Sequence, residues 1–386
     1  MSKSVKDCIF LAFLTLLTTL LVWLPHILAL PNFWGLSFSE GFSTIYRNFD
    51  GLEYIIIAKT FYNPDLIASL HQSLPANYFA SHFPGYAFLI TVFSPILGYL
   101  KSMLFVSVLS TILACWAFYF LVKNFKLSTH PLFLSFIFLI LPARWLIVHS
   151  VGSSEPTFIL FIISAVYFFM KFEQSGKFIN IFLAGLFGLF AQITRPPGIL
   201  LFLALSLFIA WKIIKQRSFM STVRKVAPYL SLLLIPLGLL SIFTWYSISY
   251  QDFFAYFKSG DNIHLTLPPF QVFNKNQFWV GDIWLEDIIY IFILGFLGGV
   301  LLIKQKLYPL AFFVLTYLAA ASLIAHRDIS RYILPISPFV LIAFEKVLTS
   351  REFKIILPII LLAIYLYAQN FILQNVAPIP NLEIFN

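Results

Sequence analysis

Long apolar runs, separated by short polar connections, recur along the whole chain. A helix of about 17–25 apolar residues is long enough to cross the ~30 Å hydrocarbon core of a bilayer. Runs of this kind predict eleven spans, near residues 9–30, 103–122, 131–148, 156–170, 178–194, 198–214, 226–247, 286–303, 307–325, 332–345 and 355–372. The pattern therefore predicts an all-α protein, a polytopic transmembrane helix bundle of about 11 spans.

One further segment, 86–100, is apolar enough to span but follows Pro84 and contains Pro95. Charge decides its assignment, because cytoplasmic loops collect Lys and Arg. If the segment does not cross, most of the 25 basic residues fall on the side of the N-terminus, with Lys3 and Lys6. We therefore predict a helix that lies on the outer face or re-enters it, a cytoplasmic N-terminus and an outer C-terminus.

This orientation leaves two long outer loops, 31–102 and 248–285, while the cytoplasmic connections stay short. We predict interfacial helices in the first of them. One module is expected over residues 1–340, which includes both loops, and residues 341–386 add a C-terminal span and a short outer tail. A plasma membrane is the expected location.

Composition excludes several classes of protein. With 60% hydrophobic and only 11% charged residues, the chain is too apolar for a soluble enzyme. The net charge of +9 comes without a basic run, so nucleic-acid binding is not expected. No Walker loop, HExxH or DxD pair is present, which argues against nucleotide donors and catalytic zinc. No metal ligand is predicted, and a divalent metal remains an open alternative.

Candidate chemistry begins in the first outer loop, in "RNFDGLEYIIIAKTFY", residues 47–62. A short membrane-surface helix that begins after Asp50 would present this carboxylate to an interfacial cavity, where it could act as a general base on an acceptor hydroxyl. The alternative is purely structural, because Asp50 followed by Glu53 three residues later also matches a capping box.

Four further blocks place polar residues at predicted outer helix ends: "HFPGYAFLI" (82–90), "HSVGSSEPTF" (149–158), "TRPPGI" (194–199) and "HRDISRY" (326–332). Purely structural alternatives exist for three of these blocks. Glu155 could simply favour a helix start, Arg195 could reach to the membrane interface, and residues 326–332 could be a solvated loop cluster. Fixed cations near a carboxylate would nevertheless suit a lipid-phosphate leaving group. The candidates for donor-phosphate binding are Arg195, Arg331, Arg327 and His326, and those for substrate positioning are Glu53, His82, Glu155 and Lys258.

The five blocks, in this order, resemble a known family. "FDGLEYIIIAKTFY" is similar to the W-D-x-x-W/Y-Y-x-x-I-A-x-x-G-Y segment of GPI-mannosyltransferase-II-like proteins and their prokaryotic relatives, in the GT-C superfamily of polytopic glycosyltransferases. The other blocks resemble F-F-P-x-Y-P-x-L, Y-S-E-S-x-F, T-R-P-x-G-x-L and R-Y-x-L-P-x-x-P-L. Together they cover about residues 49–340, and Phe49, Phe61 and Ser153 depart from the family pattern.

The resemblance implies a mannosyltransferase-like enzyme that moves a sugar, most often mannose, from a polyprenyl-phosphate donor to an extracytoplasmic acceptor with inversion. It implies Asp50 as the base and Arg195 and Arg331 as contacts of the donor phosphate. The partners would be the bilayer, the lipid-linked donor and a lipid, glycan or protein acceptor, and no other cofactor is called for.

The rival reading is a transporter or flippase of lipid-linked glycans. Such a protein would be expected to carry ionisable groups at midplane on broken helices, in matching halves of an internal repeat. The predicted spans are nearly free of charge and no repeat is visible, which favours the enzyme. A third alternative is an inactive family member that serves as an assembly subunit.

Overall fold

The computed structural model describes residues 2–70, 72–216, 227–260, 265–280, 285–378 and 382–385. Within these residues the regular structure is helical, with isolated β-bridges only. The α-helices are α1 Lys3–Ile27, α2 Ser43–Tyr46, α3 Gly51–Thr60, α4 Pro64–Ser69, α5 Pro84–Leu97, α6 Tyr99–Asn124, α7 Pro131–Ile140, α8 Ala143–Ser150, α9 Glu155–Ser175, α10 Phe178–Thr194, α11 Ile199–Gln216, α12 Leu234–Ser249, α13 Ala255–Lys258, α14 Leu285–Lys304, α15 Tyr308–Ala321, α16 Ile329–Tyr332, α17 Ser337–Ala343, α18 Glu345–Leu348 and α19 Arg351–Gln374.

Short 3₁₀ helices join several of these elements. They cover Ala76–Ser81, Pro196–Gly198, Ala227–Leu233, Gln271–Phe273, Leu334–Ile336 and Glu383–Phe385. Three basic residues that the charge argument placed in the cytoplasm, Arg217, Arg224 and Lys225, lie outside the described residues, as do parts of the loop 248–285.

In the described part of the chain, seven helical segments are long and apolar enough to cross a membrane, so the protein is a multi-pass membrane protein. They are Lys3–Ile27, Tyr99–Asn124, Glu155–Ser175, Pro196–Lys215, Ala227–Ser249, Leu285–Lys304 and Arg351–Gln374. An eighth would be the pair Pro131–Ile140 and Ala143–Ser150, which is bent by 74°. The predicted number of about 11 spans is not confirmed.

The difference comes from four apolar runs that are helical but short or broken. The run 131–148 breaks at Leu141 and Pro142, because a proline cannot continue the hydrogen-bond ladder of a helix interior. The runs 178–194 and 307–325 contain helices of 17 and 14 residues. The run 332–345 divides into a 3₁₀ turn and α17, next to Pro335 and Pro338. At ~1.5 Å per residue, a helix of 14 residues spans only ~21 Å.

Helix α5 covers most of the doubtful segment 86–100 and also has 14 residues. It begins close to the end of α10, since a Cβ atom on Gly85 would lie 2.6 Å from Thr194 Oγ1. It ends at Gly98, whose φ of 74° turns the chain directly into α6. That it lies on the outer face of the membrane or re-enters it remains a prediction.

Side-chain contacts identify one end of the bundle, which we call the basic end. There Lys123, at the end of α6, donates to Ser4 Oγ at 2.6 Å. Lys212 of α11 pairs with Glu173 of α9 at 2.5 Å, and Ser128 donates to Glu345 at 2.6 Å. The first turn of α1 carries Lys3 and Lys6, and the last turns of α6 and α11 carry Lys123 and Lys215, at the helix ends opposite Glu155.

The first long loop is tied to the bundle by close backbone approaches. A Cβ atom on Gly51 would lie 2.7 Å from Met103 Sδ and 2.9 Å from the Gly152 carbonyl oxygen. Only glycine fits a space of this size. The packing holds the start of α3, and with it Asp50, against the segment that leads into α9.

Candidate functional site

Four charged side chains from distant parts of the chain meet in one ionic network. Arg331 Nη2 donates to Asp50 Oδ2 at 2.6 Å, and Arg331 Nε donates to Glu155 Oε1. Arg195 Nη1 pairs with the same Glu155 oxygen. The network therefore runs Asp50, Arg331, Glu155, Arg195, with the two arginines sharing one carboxylate. All four were singled out from the sequence.

Asp50 sits at the N-cap of α3, but its side chain makes no capping hydrogen bond. Its carboxylate pairs with Arg331 instead, so the capping box with Glu53 is not formed at Asp50. The helix begins here because the Tyr54 amide still donates to the Asp50 carbonyl oxygen, at 3.2 Å. Glu53 lies in the first turn of α3, half-buried. The carboxylate of Asp50 is therefore engaged by a cation and not by its own helix.

Glu155 begins α9 and is buried. It accepts hydrogen bonds from Ser153 Oγ and Arg331 Nε and forms an ion pair with Arg195. Ser154 makes no capping bond, because its Oγ accepts from Arg195 Nη1 at 3.1 Å and from the Tyr54 hydroxyl at 3.0 Å. The side chains at the start of α9 thus bond to the ionic network and do not cap their own helix.

Exposure differs sharply within the network. The Asp50 side chain is 35% exposed, whereas Arg331 is 7% and Glu155 is 2% exposed. Two carboxylates and two guanidiniums also give the cluster no net charge, which makes its burial tolerable. Asp50 is therefore the network member that a substrate can reach.

The protonation state of Asp50 follows from two opposing effects. Burial is the largest single effect and raises the pKa of the carboxyl group, but the charge and hydrogen bond of Arg331 together with the charge of a protonated His82 outweigh it. The net result is a pKa below the ordinary value of an aspartate. Asp50 is accordingly an ionised carboxylate at neutral pH.

An aromatic layer supports the cationic side of the network. The Arg331 guanidinium lies 4.4 Å from the centre of the Phe49 ring, which stacks on Phe371 at 5.6 Å. Arg144 lies 3.9 Å from the Phe371 ring and pairs with Asp328. Cation–π contacts of this kind are worth ~0.5–2 kcal/mol each. Phe371 belongs to α19, so the last long helix also contributes to the site.

Arg144 is a residue that sequence reasoning missed, because it falls within a predicted span. A signal was available, since an arginine two residues after Pro142 marks a broken helix better than a continuous one. Tyr54 and Ser154 were also missed as members of the network, although both lie in blocks that were noted. Asp328 was noted in its block but given no role.

The remaining candidates lie around the network or away from it. His82 is buried, with Nδ1 2.7 Å from Ser81 Oγ and its ring against Tyr54 at 5.3 Å. His326 Nδ1 accepts from the Asp328 amide at 3.0 Å. Arg327 lies over the Phe278 ring at 5.7 Å. Lys258 is 67% exposed and pairs with Asp252 at 2.6 Å.

Among the residues that the structure describes, no group of three or more His, Cys, Asp or Glu side chains could hold a metal ion. Both carboxylates of the network face guanidinium groups. What the arrangement offers chemically is an accessible anion beside one buried and one partly buried cation.

Comparison with known proteins adds no family to this picture. No protein-family model matches the chain, and no curated protein matches its sequence. The similarity to GT-C glycosyltransferases therefore rests on the five motif blocks and stays a prediction.

Proposed function

We propose that the protein is a membrane glycosyltransferase that moves a sugar from a polyprenyl-phosphate donor to an acceptor hydroxyl, with mannose the first sugar to test. The observation that carries the proposal is the Asp50 carboxylate, partly exposed and ionised, beside the buried Arg331 and the partly buried Arg195. This pairing of a base with fixed cations matches what the reaction needs. Transfer removes a proton from the acceptor and releases an anionic phosphate.

In the proposed reaction, the acceptor oxygen gives its proton to Asp50 and attacks the anomeric carbon of the donor sugar. The bond from that carbon to the phosphate oxygen breaks, and the polyprenyl phosphate leaves with the electron pair. Attack opposite to the leaving group inverts the anomeric configuration. Arg331 and Arg195 stabilise the charge that gathers on the phosphate.

The ion pair also suggests how Asp50 becomes a competent base. A carboxylate paired with Arg331 is weakly basic, because its pKa is held low. A donor phosphate that binds Arg331 would compete with Asp50 for the guanidinium. The pKa of Asp50 would then rise towards the range useful for proton transfer, so donor binding would activate the base.

A second candidate function is transport of lipid-linked glycans, and one observation favours it. The bent pair α7 and α8 carries Arg144 next to its break, and broken helices with charged groups are typical of transporters. The break lies beside the same network, since Arg144 pairs with Asp328 close to Arg331. The same feature also has a place in the enzyme, because Arg144 packs on Phe371 of the aromatic layer.

One assay separates the two functions. The purified full chain in lipid vesicles is given radiolabelled polyprenyl-phosphate-mannose with a panel of sugar, lipid and peptide acceptors, and in parallel a fluorescent glycolipid whose flipping is followed by dithionite quenching. We expect radiolabel in the acceptor and no faster flipping than in empty vesicles. Faster flipping without any sugar transfer would contradict the proposal and identify the protein as a transporter.

We also propose that the site faces the outside of a cell membrane, because the opposite, basic end of the bundle matches the positive-inside rule. In a variant with Cys8 and Cys115 replaced by serine, a cysteine introduced at the exposed Lys101 is expected to react with an impermeant maleimide added outside intact cells. A cysteine at Lys306, the control, should react only after lysis. The reverse labelling pattern would mean that the protein has the opposite orientation in the membrane.

A further inference from the structure

Helix α3, which follows Asp50, is held just before its start and in its last turn by residues from beyond α19. The described part of this stretch forms what we call the C-terminal segment, residues 375–378 and 382–385. Before the helix, Val376 forms an antiparallel bridge with Asn48. In the last turn, Lys59 Nζ donates to the Ile384 carbonyl oxygen at 2.9 Å. The helix that carries the proposed base is therefore fastened at both ends by the C-terminal segment.

Asn48 joins the first long loop to α19 and to the C-terminal segment. Its side chain is fully buried, and Nδ2 donates to the carbonyl oxygens of Thr44 and Ile372, each at 2.9 Å. Oδ1 accepts from Asn375 Nδ2 at 3.4 Å. The two carbonyl acceptors fix the orientation of the amide, because only its nitrogen can donate to them. Both polar atoms of the Asn48 side chain are thus bonded to neighbouring parts of the chain.

Phe49, between Asn48 and Asp50, has a backbone conformation that a phenylalanine rarely adopts. Its φ is 49°, in the left-handed region. Conformations of this kind are unfavourable and persist only where the surrounding contacts impose them. Here the Asn48 side chain is anchored on one side, and the Phe49 ring lies against Arg331 and Phe371. The turn at Phe49 leads the chain from the buried Asn48 to the partly exposed Asp50.

We infer that Asn48 is a positioning residue for Asp50: by anchoring the loop to α19 and the C-terminal segment, it holds the turn at Phe49 in the conformation that brings the Asp50 carboxylate to Arg331. Without the anchor, the backbone of Phe49 can relax to a more common conformation, and the carboxylate leaves its place. The consequence for catalysis rests on the function proposed above, whereas the consequence for the ion pair does not.

The first test compares kcat and KM of Asn48→Ala and the wild type, as the full chain in lipid vesicles with radiolabelled polyprenyl-phosphate-mannose and the acceptor panel. We expect kcat to fall by about 10–100-fold, because a displacement of ~1 Å can cost that much, and KM to change little. Asn180→Ala is the matched control. This buried asparagine donates to Ser175 Oγ at the basic end, and its loss should leave kcat unchanged.

A double-variant cycle separates positioning from a purely structural role. If Asn48 acts through Asp50, Asn48→Ala should lower transfer little further in a protein that already carries Asp50→Asn. The same cycle is measured on thermal midpoints, which need no activity. The double variant should lose less than the sum of the single losses, because Asn48→Ala has already weakened the pair of Asp50 with Arg331. Asn180→Ala combined with Asp50→Asn should be additive, since these sites share no partner.

Two results would overturn the inference: an unchanged kcat in folded Asn48→Ala, or additive losses in the cycle of thermal midpoints. If Asn48→Ala does not fold, Asn375→Ala decides by the same criteria. It removes one hydrogen bond of the anchor, so we expect kcat to fall by about 2–10-fold. A wild type without transfer would contradict the proposed function alone, because the midpoint cycle still tests how Asp50 is held.

Discussion

Replacing Asp50 by asparagine is expected to lower sugar transfer by about 10²–10⁴-fold, the usual contribution of a general base. The amide has the same size but cannot accept the acceptor's proton. Arg331 keeps its contact with Glu155, so the fold should survive. Initial rates with radiolabelled polyprenyl-phosphate-mannose measure the effect, and we expect it mainly in kcat because proton removal belongs to the transition state.

Asp65→Asn is the matched control for this change. Asp65 lies in the same loop, exposed in the first turn of α4, and its loss should leave transfer unchanged. If Asp50→Asn retains wild-type rates while Asp65→Asn behaves as expected, Asp50 is not the base.

The pH dependence of the transfer rate is a second test of the role of Asp50. In the free protein the pKa of Asp50 lies below its ordinary value of ~4. The value of kcat/KM should therefore fall only when the pH drops below ~4. In the donor complex, competition for Arg331 raises the pKa, and the acid limb of kcat should lie at higher pH. The sign is fixed, because a carboxylate that loses its cation gains affinity for protons.

Replacing Glu155 by glutamine is expected to destabilise the protein by about 3–5 kcal/mol, the largest effect on stability that the site predicts. Glu155 is the shared partner of the buried Arg331 and the partly buried Arg195, and glutamine leaves both guanidiniums without a counter-charge there. Arg331 still has Asp50, but Arg195 loses its carboxylate. The thermal midpoint in detergent or nanodiscs measures the loss.

Glu173→Gln provides the comparison at the basic end of the bundle. Its partner Lys212 is 35% exposed, so solvent screens the pair and the cost should stay within about 1 kcal/mol. A double variant, Glu155→Gln with Arg195→Gln, should recover part of the lost stability because it removes one buried charge. Equal midpoints for Glu155→Gln and the wild type would mean that the network does not hold the fold.

The four members of the network could be predicted from the sequence, but the pairs that they form could not. Asp50, Glu155, Arg195 and Arg331 all stood out as polar residues at the ends of apolar runs. Yet Asp50 and Arg331 are 281 positions apart, and local spacing says nothing about which anion meets which cation. The shared role of Glu155 depends on how α9 packs against α10 and α16, which only tertiary structure decides.

The number of spans was less predictable for a related reason. Hydropathy finds apolar runs, and each predicted run does contain helix, but the length of a helix depends on local breaks. Pro142 divides one run, and Pro335 and Pro338 divide another.

The aromatic layer has a consequence for how the protein is made. Phe49 and Asp50 leave the ribosome early, whereas Arg331 and Phe371, which they contact, come from the last part of the chain. During synthesis, Asp50 and Glu155 are therefore inserted as anions long before the arginine that joins them exists. The ionic network can therefore close only after Arg331 has been made, and its aromatic support is complete only when Phe371 of α19 is in place.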